Sequence, residues 1–296
     1  MPWLWAIFTV MAAGGQVMRN AMQKELTGVL GTVGATHVRF LFGLPFALVF
    51  LAVVLIATGL PVPALNNTML AWTVTGAIAQ IGATALLLAA MQERSFVVIT
   101  AYAKTEPVQV AFFSLAFLGE HITLGVATAI LIATAGVQIV SWPRRSTEEV
   151  FSWKPAVLGI ASGAMFAVAA IGFRAGIRAL ETPSFVVAAT VTLVLGLIIQ
   201  TAVLTAYLAL ADRPVLTGIF RAWKPSMLAG FMGAFASQMW FLAFALETAA
   251  KVRTLALIEI LFAQIISRNL FKQNLASREM MGVGLIVLGV VLLLNL

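Results

Sequence analysis

The sequence contains no cysteine and little charge. Without cysteine, the chain can form neither disulfide bonds nor thiolate sites for metals or nucleophilic catalysis. Charged residues make up 10% of the composition, whereas a soluble domain carries about 25%. Apolar residues make up 61%, and the mean hydropathy is +1.03. The composition therefore predicts a polytopic membrane protein and argues against a soluble globular domain.

Side chains suited to catalysis or metal binding are also scarce. The sequence has two histidines, His37 and His121, and a single aspartate, Asp212, and they form no hydrolase or metal-binding motif. We therefore expect no enzymatic activity, no metal and no cofactor. The net charge of +7 comes from bases that stand singly or in pairs between apolar spans, where they meet lipid headgroups. This pattern argues against nucleic-acid binding.

Apolar runs predict ten membrane-spanning helices, at about 20 residues per crossing. No Lys or Arg precedes the first run, which favours a retained helix over a cleaved signal peptide. A polar loop at 143–154 separates a first half, 1–142, from a second half, 155–296. The predicted spans are 3–22, 32–57, 69–91, 96–118 and 122–142 in the first half, and 155–179, 184–211, 225–246, 252–271 and 277–296 in the second.

The two halves repeat each other. Three anchors recur at one constant separation, namely Glu106 with Glu259, Glu120 with Gln273, and Gly136 with Gly289. Because each half has an odd number of spans, the second copy must enter the membrane from the opposite face. In transporters, such inverted repeats place the substrate site near the membrane midplane. The expected fold is therefore all-α, with ten transmembrane helices as two inverted five-helix repeats around a central cavity.

The most unusual stretch is 102–107 (YAKTEP), in the middle of span 4. It places Lys104 and Glu106 where a charge costs about 2.5 to 3.5 kcal/mol. Pro107 has no N–H group to donate to the carbonyl of Ala103, so the helix should be interrupted at this point. The two charged side chains point about 200° apart, so Lys104 needs a carboxylate on another helix, and Glu259 is the candidate.

Two functions remain open for Lys104, Glu106 and Glu259. They either hold two helices together, or one carboxylate takes up and releases a proton during transport. Both proton-coupled and facilitated transport are compatible with this pattern.

Isolated polar and aromatic residues inside other spans predict a pocket for a zwitterion or a small amphiphile. Gln16, Asn20 and Gln23 share one face of span 1, where they either bond neighbouring helices or line a cavity. Arg39 lies near the start of span 2 and is expected to snorkel to the interface. The expected substrate-binding residues are Gln80, Thr84, Tyr102, Gln238, Trp240 and Phe244.

Glycines in span 6 stand at Gly-x-x-x-Gly spacing, which lets helix backbones approach closely. This spacing could serve a dimer or the packing of the bundle itself, and we expect the second and a monomer. The glycines are Gly159 and Gly163, then Gly172 and Gly176.

Most Lys and Arg residues, Arg19 among them, are counted with the loops between spans 1/2, 3/4, 5/6, 7/8 and 9/10. The positive-inside rule then places these loops in the cytoplasm and both termini outside. The opposite loops hold only Arg174, Arg178, Lys251 and Arg253.

These features resemble the EamA branch of the drug/metabolite transporter superfamily. The resemblance rests on two five-helix repeats, a Pro or Glu in the fourth helix of each, and the Gly-Glu turn at 118–123 (LGEHIT). It covers nearly the whole chain and is closest to bacterial exporters of aromatic amino acids, methionine and threonine. In the second repeat, Lys272 and Gln273 replace Gly119 and Glu120, so a role for that carboxylate need not hold in both halves.

The resemblance implies a multi-pass protein of the bacterial inner membrane. Its expected function is the export of small neutral or aromatic amino acids and related metabolites by alternating access. The alternatives are an exporter of drugs or other metabolites, and a membrane scaffold that transports nothing. A nucleotide-sugar substrate is disfavoured here, because a phosphate needs several inward cations and Lys104 is the only deep one expected.

Overall fold

The computed structural model describes residues 3–93, 96–141, 153–260 and 277–296. Within these residues, 88% of the chain is helical and no strand is present, which confirms the all-α prediction. Most of the predicted connecting loop, 143–152, and the second half of predicted span 9, 261–271, lie outside the described residues. The same holds for Lys272 and Gln273 of the predicted second repeat.

The described residues form twelve α-helices and one 3₁₀-helix. In the first half these are α1 (Leu4–Leu41), α2 (Gly43–Thr58), α3 (Asn67–Glu93), α4 (Phe96–Ala103), α5 (Glu106–Leu118) and α6 (Leu124–Ser141). In the second half they are α7 (Lys154–Arg178), α8 (Phe185–Ala211), α9 (Arg213–Arg221), α10 (Trp223–Leu246), α11 (Ala249–Leu255), η1 (Ala256–Ile258) and α12 (Ser277–Leu294).

Several of these helices are long and apolar enough to cross a membrane, as the composition predicts. Two shorter apolar helices, Leu124–Val140 and Met280–Leu294, correspond to predicted spans 5 and 10. The short helix α9 was not predicted and lies between predicted spans 7 and 8. The long apolar stretches are Leu4–Thr58, Asn67–Glu93, Lys154–Arg178, Phe185–Ala211 and Trp223–Leu246.

The chain doubles back at Gly31, inside α1. Gly31 has φ 67° and ψ 178°, a conformation that is open to glycine and strained for other residues. The side-chain nitrogen of Gln23 donates to the carbonyl oxygen of Ala35 at 2.9 Å, although twelve residues of straight helix would span about 18 Å. Helix α1 therefore comprises two segments. The first extends to Leu30, well beyond the predicted end of span 1 at Met22.

Predicted span 4 is a broken helix, as Pro107 suggested. Helix α4 ends at Ala103 and α5 begins at Glu106, with Lys104 in the turn between them. A Cβ atom on Gly163 would lie 2.7 Å from the carbonyl oxygen of Ala103. The glycine therefore makes room for the carbonyl that Pro107 leaves without an N–H donor.

Predicted span 9 changes its geometry at the corresponding place. Helix α11 gives way to the 3₁₀-helix η1 immediately before Glu259. In the register that matches Glu106 with Glu259, the turn at Lys104 corresponds to Leu257 in η1. A 3₁₀ stretch within a helix is common where the helix is hinged or strained.

Three helix pairs pack along each other most extensively: α1 with α10, α3 with α7, and α6 with α12. Small residues allow this close approach. A Cβ on Gly136 of α6 would lie 2.6 Å from the carbonyl oxygen of Gly282 on α12. A Cβ on Gly172 of α7 would lie 2.8 Å from the backbone nitrogen of Gly76 on α3.

All four glycines of span 6 face other parts of this chain. Their packing inside the bundle is therefore confirmed, whereas the monomeric state stays a prediction. The contacts that a Cβ would make are those of Gly159 with Tyr102, Gly163 with Ala103, Gly172 with Gly76, and Gly176 with Thr73.

Replacing Gly136 with alanine should destabilise the protein by about 1–3 kcal/mol, because the new methyl group meets backbone that cannot move aside. Gly284→Ala on α12 is the matched control. Nothing lies within 4 Å of a Cβ there, so the better helix propensity of alanine should stabilise by up to about 1 kcal/mol. Thermal unfolding of both variants in one detergent measures the difference. Equal unfolding temperatures would contradict the close approach of α6 and α12.

Candidate functional site

A cavity lies where α1, the turn between α4 and α5, and the continuous segment of α11 and η1 meet. It is narrow and partly open, with a volume of about 20 Å³. Eight of its eleven described lining residues are polar, and five of these are ionisable. The lining residues are Gln16, Arg19, Asn20, Leu87, Thr100, Ala103, Lys104, Glu106, Phe166, Arg253 and Glu259.

The ion pair of Lys104 with Glu259, suggested by the sequence, is confirmed. Lys104 Nζ lies 2.6 Å from Glu259 Oε1, and both side chains are buried. The break before α5 removes Lys104 from the regular helix, which lets its side chain reach the second half of the chain. The second carboxylate oxygen of Glu259 accepts a hydrogen bond from Gln16 Nε2 at 3.2 Å.

Glu106 has a different partner, which the sequence did not reveal. Arg253 Nε on α11 lies 3.0 Å from Glu106 Oε1. These two atoms are close but poorly aligned, so they form an ion pair without a hydrogen bond. The guanidinium carbon of Arg253 also lies 4.4 Å from the ring centre of Trp240 and 5.3 Å from that of Phe244. These cation–π contacts fix the guanidinium between the aromatic pair and Glu106.

Gln16 connects the aromatic pair to the charges. Its Oε1 accepts a hydrogen bond from Trp240 Nε1 at 3.1 Å, while its amide nitrogen donates to Glu259. Asn20 lies one turn further along the same face and also lines the cavity. Gln23 instead bonds the backbone at Ala35. The polar face of span 1 therefore does both things that the sequence left open.

Two further arginines are buried beside these pairs. Arg19 lines the cavity with 1% of its surface exposed, and its Nη2 donates to Asn20 Oδ1 at 2.7 Å. Arg39, 2% exposed, donates to Thr84 Oγ1 at 3.1 Å and to Ser237 Oγ at 3.4 Å. The prediction that Arg39 snorkels is wrong, because the second segment of α1 carries it between α3 and α10.

None of the six predicted substrate-binding residues belongs to the described lining of this cavity. Gln80 Oε1 accepts a hydrogen bond from Gln200 at 2.8 Å, and Gln238 Nε2 donates to Thr190 at 2.9 Å. Thr84 holds Arg39. Their role in substrate binding stays a prediction.

The three aromatic members of that set lie at different distances from the charges. Trp240 and Phe244 stack at 6.1 Å between ring centres and reach the cavity through Gln16 and Arg253. Tyr102 packs at Gly159 on α7. By contrast, the three predicted charges, Lys104, Glu106 and Glu259, all line the cavity.

Arg174 forms a second buried cluster, away from the cavity. Its Nε lies 2.7 Å from Glu120 Oε1, and its Nη1 donates to the carbonyl oxygen of Phe244 at 2.6 Å and to that of Glu247. Glu120 belongs to the Gly-Glu turn, so Arg174 on α7 joins that turn to the end of α10. Exposed Arg178 also approaches Glu120, at 3.7 Å.

Three arginines therefore differ from the sequence prediction, which assigned them to loops. Arg19, Arg174 and Arg253 lie within helices and are buried. When these three arginines are left out of the count, the loops between spans 1/2, 3/4, 5/6, 7/8 and 9/10 still hold more Lys and Arg than the opposite loops. In the described part of the chain, no three His, Asp or Glu side chains lie together as a metal site would require.

No protein-family model matches this sequence, and no curated protein matches it either. One of the solved structures that do match, described only as the crystal structure of a protein, superposes with a TM-score of 0.67. The match covers 96% of this chain and 94% of that chain at 16% sequence identity. The two proteins therefore share a fold along nearly their whole lengths, and the likeness carries no information about function.

Proposed function

We propose that this protein is a membrane transporter that moves a small metabolite by alternating access between two inverted five-helix halves. The observation that carries the proposal is the pair of buried ion pairs in the cavity. Lys104 with Glu259 and Arg253 with Glu106 each join the first half to the second. Both lie where a helix is broken or changes its geometry, an arrangement typical of transporter sites.

The helix packing supports two halves related by a repeat. If span 1 corresponds to span 6 and span 3 to span 8, the contact of α1 with α10 has its counterpart in the contact of α7 with α3. The contact of α6 with α12 joins the fifth spans of both halves. The paired positions Thr100 with Arg253 and Glu106 with Glu259 all line the cavity.

Buried charge favours a functional cavity over a scaffold. A charge buried in a helix bundle is expensive, and in membrane proteins such residues mark pathways for substrates or ions. A scaffold could hold its helices together through small residues at close contacts, as Gly136 and Gly282 do between α6 and α12.

Export of small neutral or aromatic amino acids from a bacterial cell is the first substrate class to test, because the resemblance to EamA transporters implies it. A bulky cation is disfavoured, because each cavity carboxylate already lies against Lys104 or Arg253. The sequence argument against phosphate-bearing substrates no longer holds, since Arg19, Arg39 and Arg253 are as deeply buried as Lys104.

Uptake of radiolabelled threonine, methionine and phenylalanine into proteoliposomes tests transport directly. We expect saturable uptake above that of empty liposomes for at least one of them, and comparison with an imposed pH gradient shows whether protons are coupled. Absence of uptake by folded protein would contradict amino-acid export.

A conservative substitution tests the location of the site. Trp240→Phe keeps the stacked ring but removes the N–H group that donates a hydrogen bond to Gln16. Uptake should therefore fall several-fold while the protein stays folded. Trp223→Phe, at an exposed position, should leave uptake unchanged. Equal uptake by both variants would place the site elsewhere.

A further inference from the structure

Arg19 has hydrogen-bond donors that nothing in the described part of the chain satisfies. Its Nη2 donates to Asn20, but Nε and Nη1 are buried without a partner. A guanidinium carries five N–H groups, one on Nε and two on Nη1, so three of them lack an acceptor. Buried polar groups are nearly always paired, and an orphaned one needs a physical reason. Arg19 borders the cavity, where a ligand could supply the acceptor.

The cavity also carries surplus positive charge. Its described lining holds three cations, Arg19, Lys104 and Arg253, and two carboxylates, Glu106 and Glu259. Each carboxylate already faces a cation, Glu259 facing Lys104 and Glu106 facing Arg253. By sequence, the stretch 261–276 that follows adds no acidic residue. Arg19 therefore has no carboxylate of its own: Glu259 acts on it electrostatically but is in contact with Lys104, and the described lining keeps one positive charge in excess.

Arg39 adds a fourth buried cation close by. A Cβ on Gly233 would lie 3.1 Å from Arg39 Cγ and 3.5 Å from Arg19 Cδ, so both side chains pass the same point on α10. Arg39 is held by the hydroxyl groups of Thr84 and Ser237, which are neutral. Two adjacent buried arginines with no carboxylate in contact attract a bound anion and repel a cation.

We propose that the substrate is a small organic anion whose carboxylate or phosphate group is bound by the guanidinium of Arg19. This inference rests on the proposed transport function and narrows its substrate class. The planar guanidinium presents paired N–H groups that fit both oxyanions. A zwitterionic amino acid fits less well, because the cavity offers its ammonium group no unpaired carboxylate. Net negative charge is therefore the property that the cavity selects.

Binding is measured on the full chain in nanodiscs of uncharged lipid, independently of transport. The probes are succinate, inorganic phosphate, phenylalanine and choline, each compared with potassium chloride at equal ionic strength. Succinate or phosphate should raise the melting temperature by about 5 °C at 100 times its Kd, whereas choline should not. Equal shifts with potassium chloride, or a larger shift with phenylalanine or choline, would overturn the proposal.

Arg19→Gln separates binding from structure. It should abolish the shift while the melting temperature without anion stays equal or rises, because an unpaired buried charge is removed. Exposed Arg221→Gln is the matched control and should keep the full shift. A full shift in Arg19→Gln, or loss of the shift in Arg221→Gln, would overturn the assignment to Arg19.

The transport assay and the binding assay test different proposals, so one proposal can be overturned while the other stands. Uptake of phenylalanine without any Arg19-dependent anion effect would overturn this inference and leave the proposed transport intact. An Arg19-dependent shift with succinate or phosphate, without amino-acid uptake, would support the anion site and reject amino acids as the substrate.

Discussion

Glu259→Gln should destabilise the protein by about 3–5 kcal/mol, and by clearly more than Lys104→Gln, although both substitutions break the same ion pair. The two side chains are buried, 3% and 7% exposed, and their charged atoms lie 2.6 Å apart. Removing one partner of a buried pair leaves an uncompensated charge, which is costly in a water-poor interior.

The two variants should lose different amounts of stability, because positive charge is in surplus around the ion pair. Without Glu259, Lys104 and Arg253 share the single carboxylate of Glu106, and Arg19 stands unpaired beside them. Without Lys104, the carboxylate of Glu259 still lies in the same cavity as Arg19, which has free N–H groups. The lysine variant therefore keeps a counter-ion for each acid, whereas the glutamate variant leaves cations without one.

Thermal unfolding in nanodiscs of uncharged lipid measures both variants. Glu93→Gln and Lys154→Gln are the controls, since Lys154 and Glu93 form an exposed ion pair whose loss should matter by less than about 1 kcal/mol. A lysine variant that is at least as unstable as the glutamate variant would show that the cavity has no surplus of positive charge.

The sequence could predict the charges that stand in the middle of an apolar run. Lys104, Glu106 and Glu259 are conspicuous because such a run has no other reason to contain them, and all three line the cavity. Pro107 likewise predicted the break in span 4, because proline removes a helix hydrogen bond wherever it stands.

Residues near the ends of predicted spans were misplaced, because there a charge can reach the interface at little cost. Arg19 was counted with the loop between spans 1 and 2, because it stands in the last turn of a span that was ended at Met22. The helix in fact continues to Leu30, which puts Arg19 deep inside it. Its spacing from Gln16 and Asn20 on one face was the signal that could have revealed it. Several glycines between residues 28 and 34 made the position of the turn ambiguous.

Pairing between distant helices is the part that the sequence does not reveal. Arg253 and Arg174 have no conspicuous local context, and they become buried only because α11 meets α5 and α7 meets the end of α10. Likewise, Gln80 and Gln238 were suitable pocket residues by type. The choice of Gln200 and Thr190 as their partners depends on tertiary packing.

Arg174→Gln should be the other strongly destabilising substitution, by about 3 kcal/mol or more. Arg174 serves Glu120 and the carbonyl oxygens of Phe244 and Glu247 at once. The last carbonyls of a helix have no partner within that helix, and a buried arginine near the end of α10 satisfies one of them. Without Arg174, a buried carboxylate and these carbonyls lose their donor. The ion pair that connects α7 to the turn after α5 is lost as well.

Arg178→Gln is the matched control, because Arg178 approaches the same carboxylate from solvent. Its side chain is 62% exposed and 3.7 Å from Glu120 Oε1, so its loss should change stability by less than about 1 kcal/mol. Arg174→Lys should fall in between, since an ammonium can restore the ion pair but cannot reach three acceptors in a fixed fork. Unfolding temperatures of the three variants in one detergent give this order. If Arg174→Gln and Arg178→Gln unfolded at the same temperature, the contacts of Arg174 with α10 and the Gly-Glu turn would not contribute to stability.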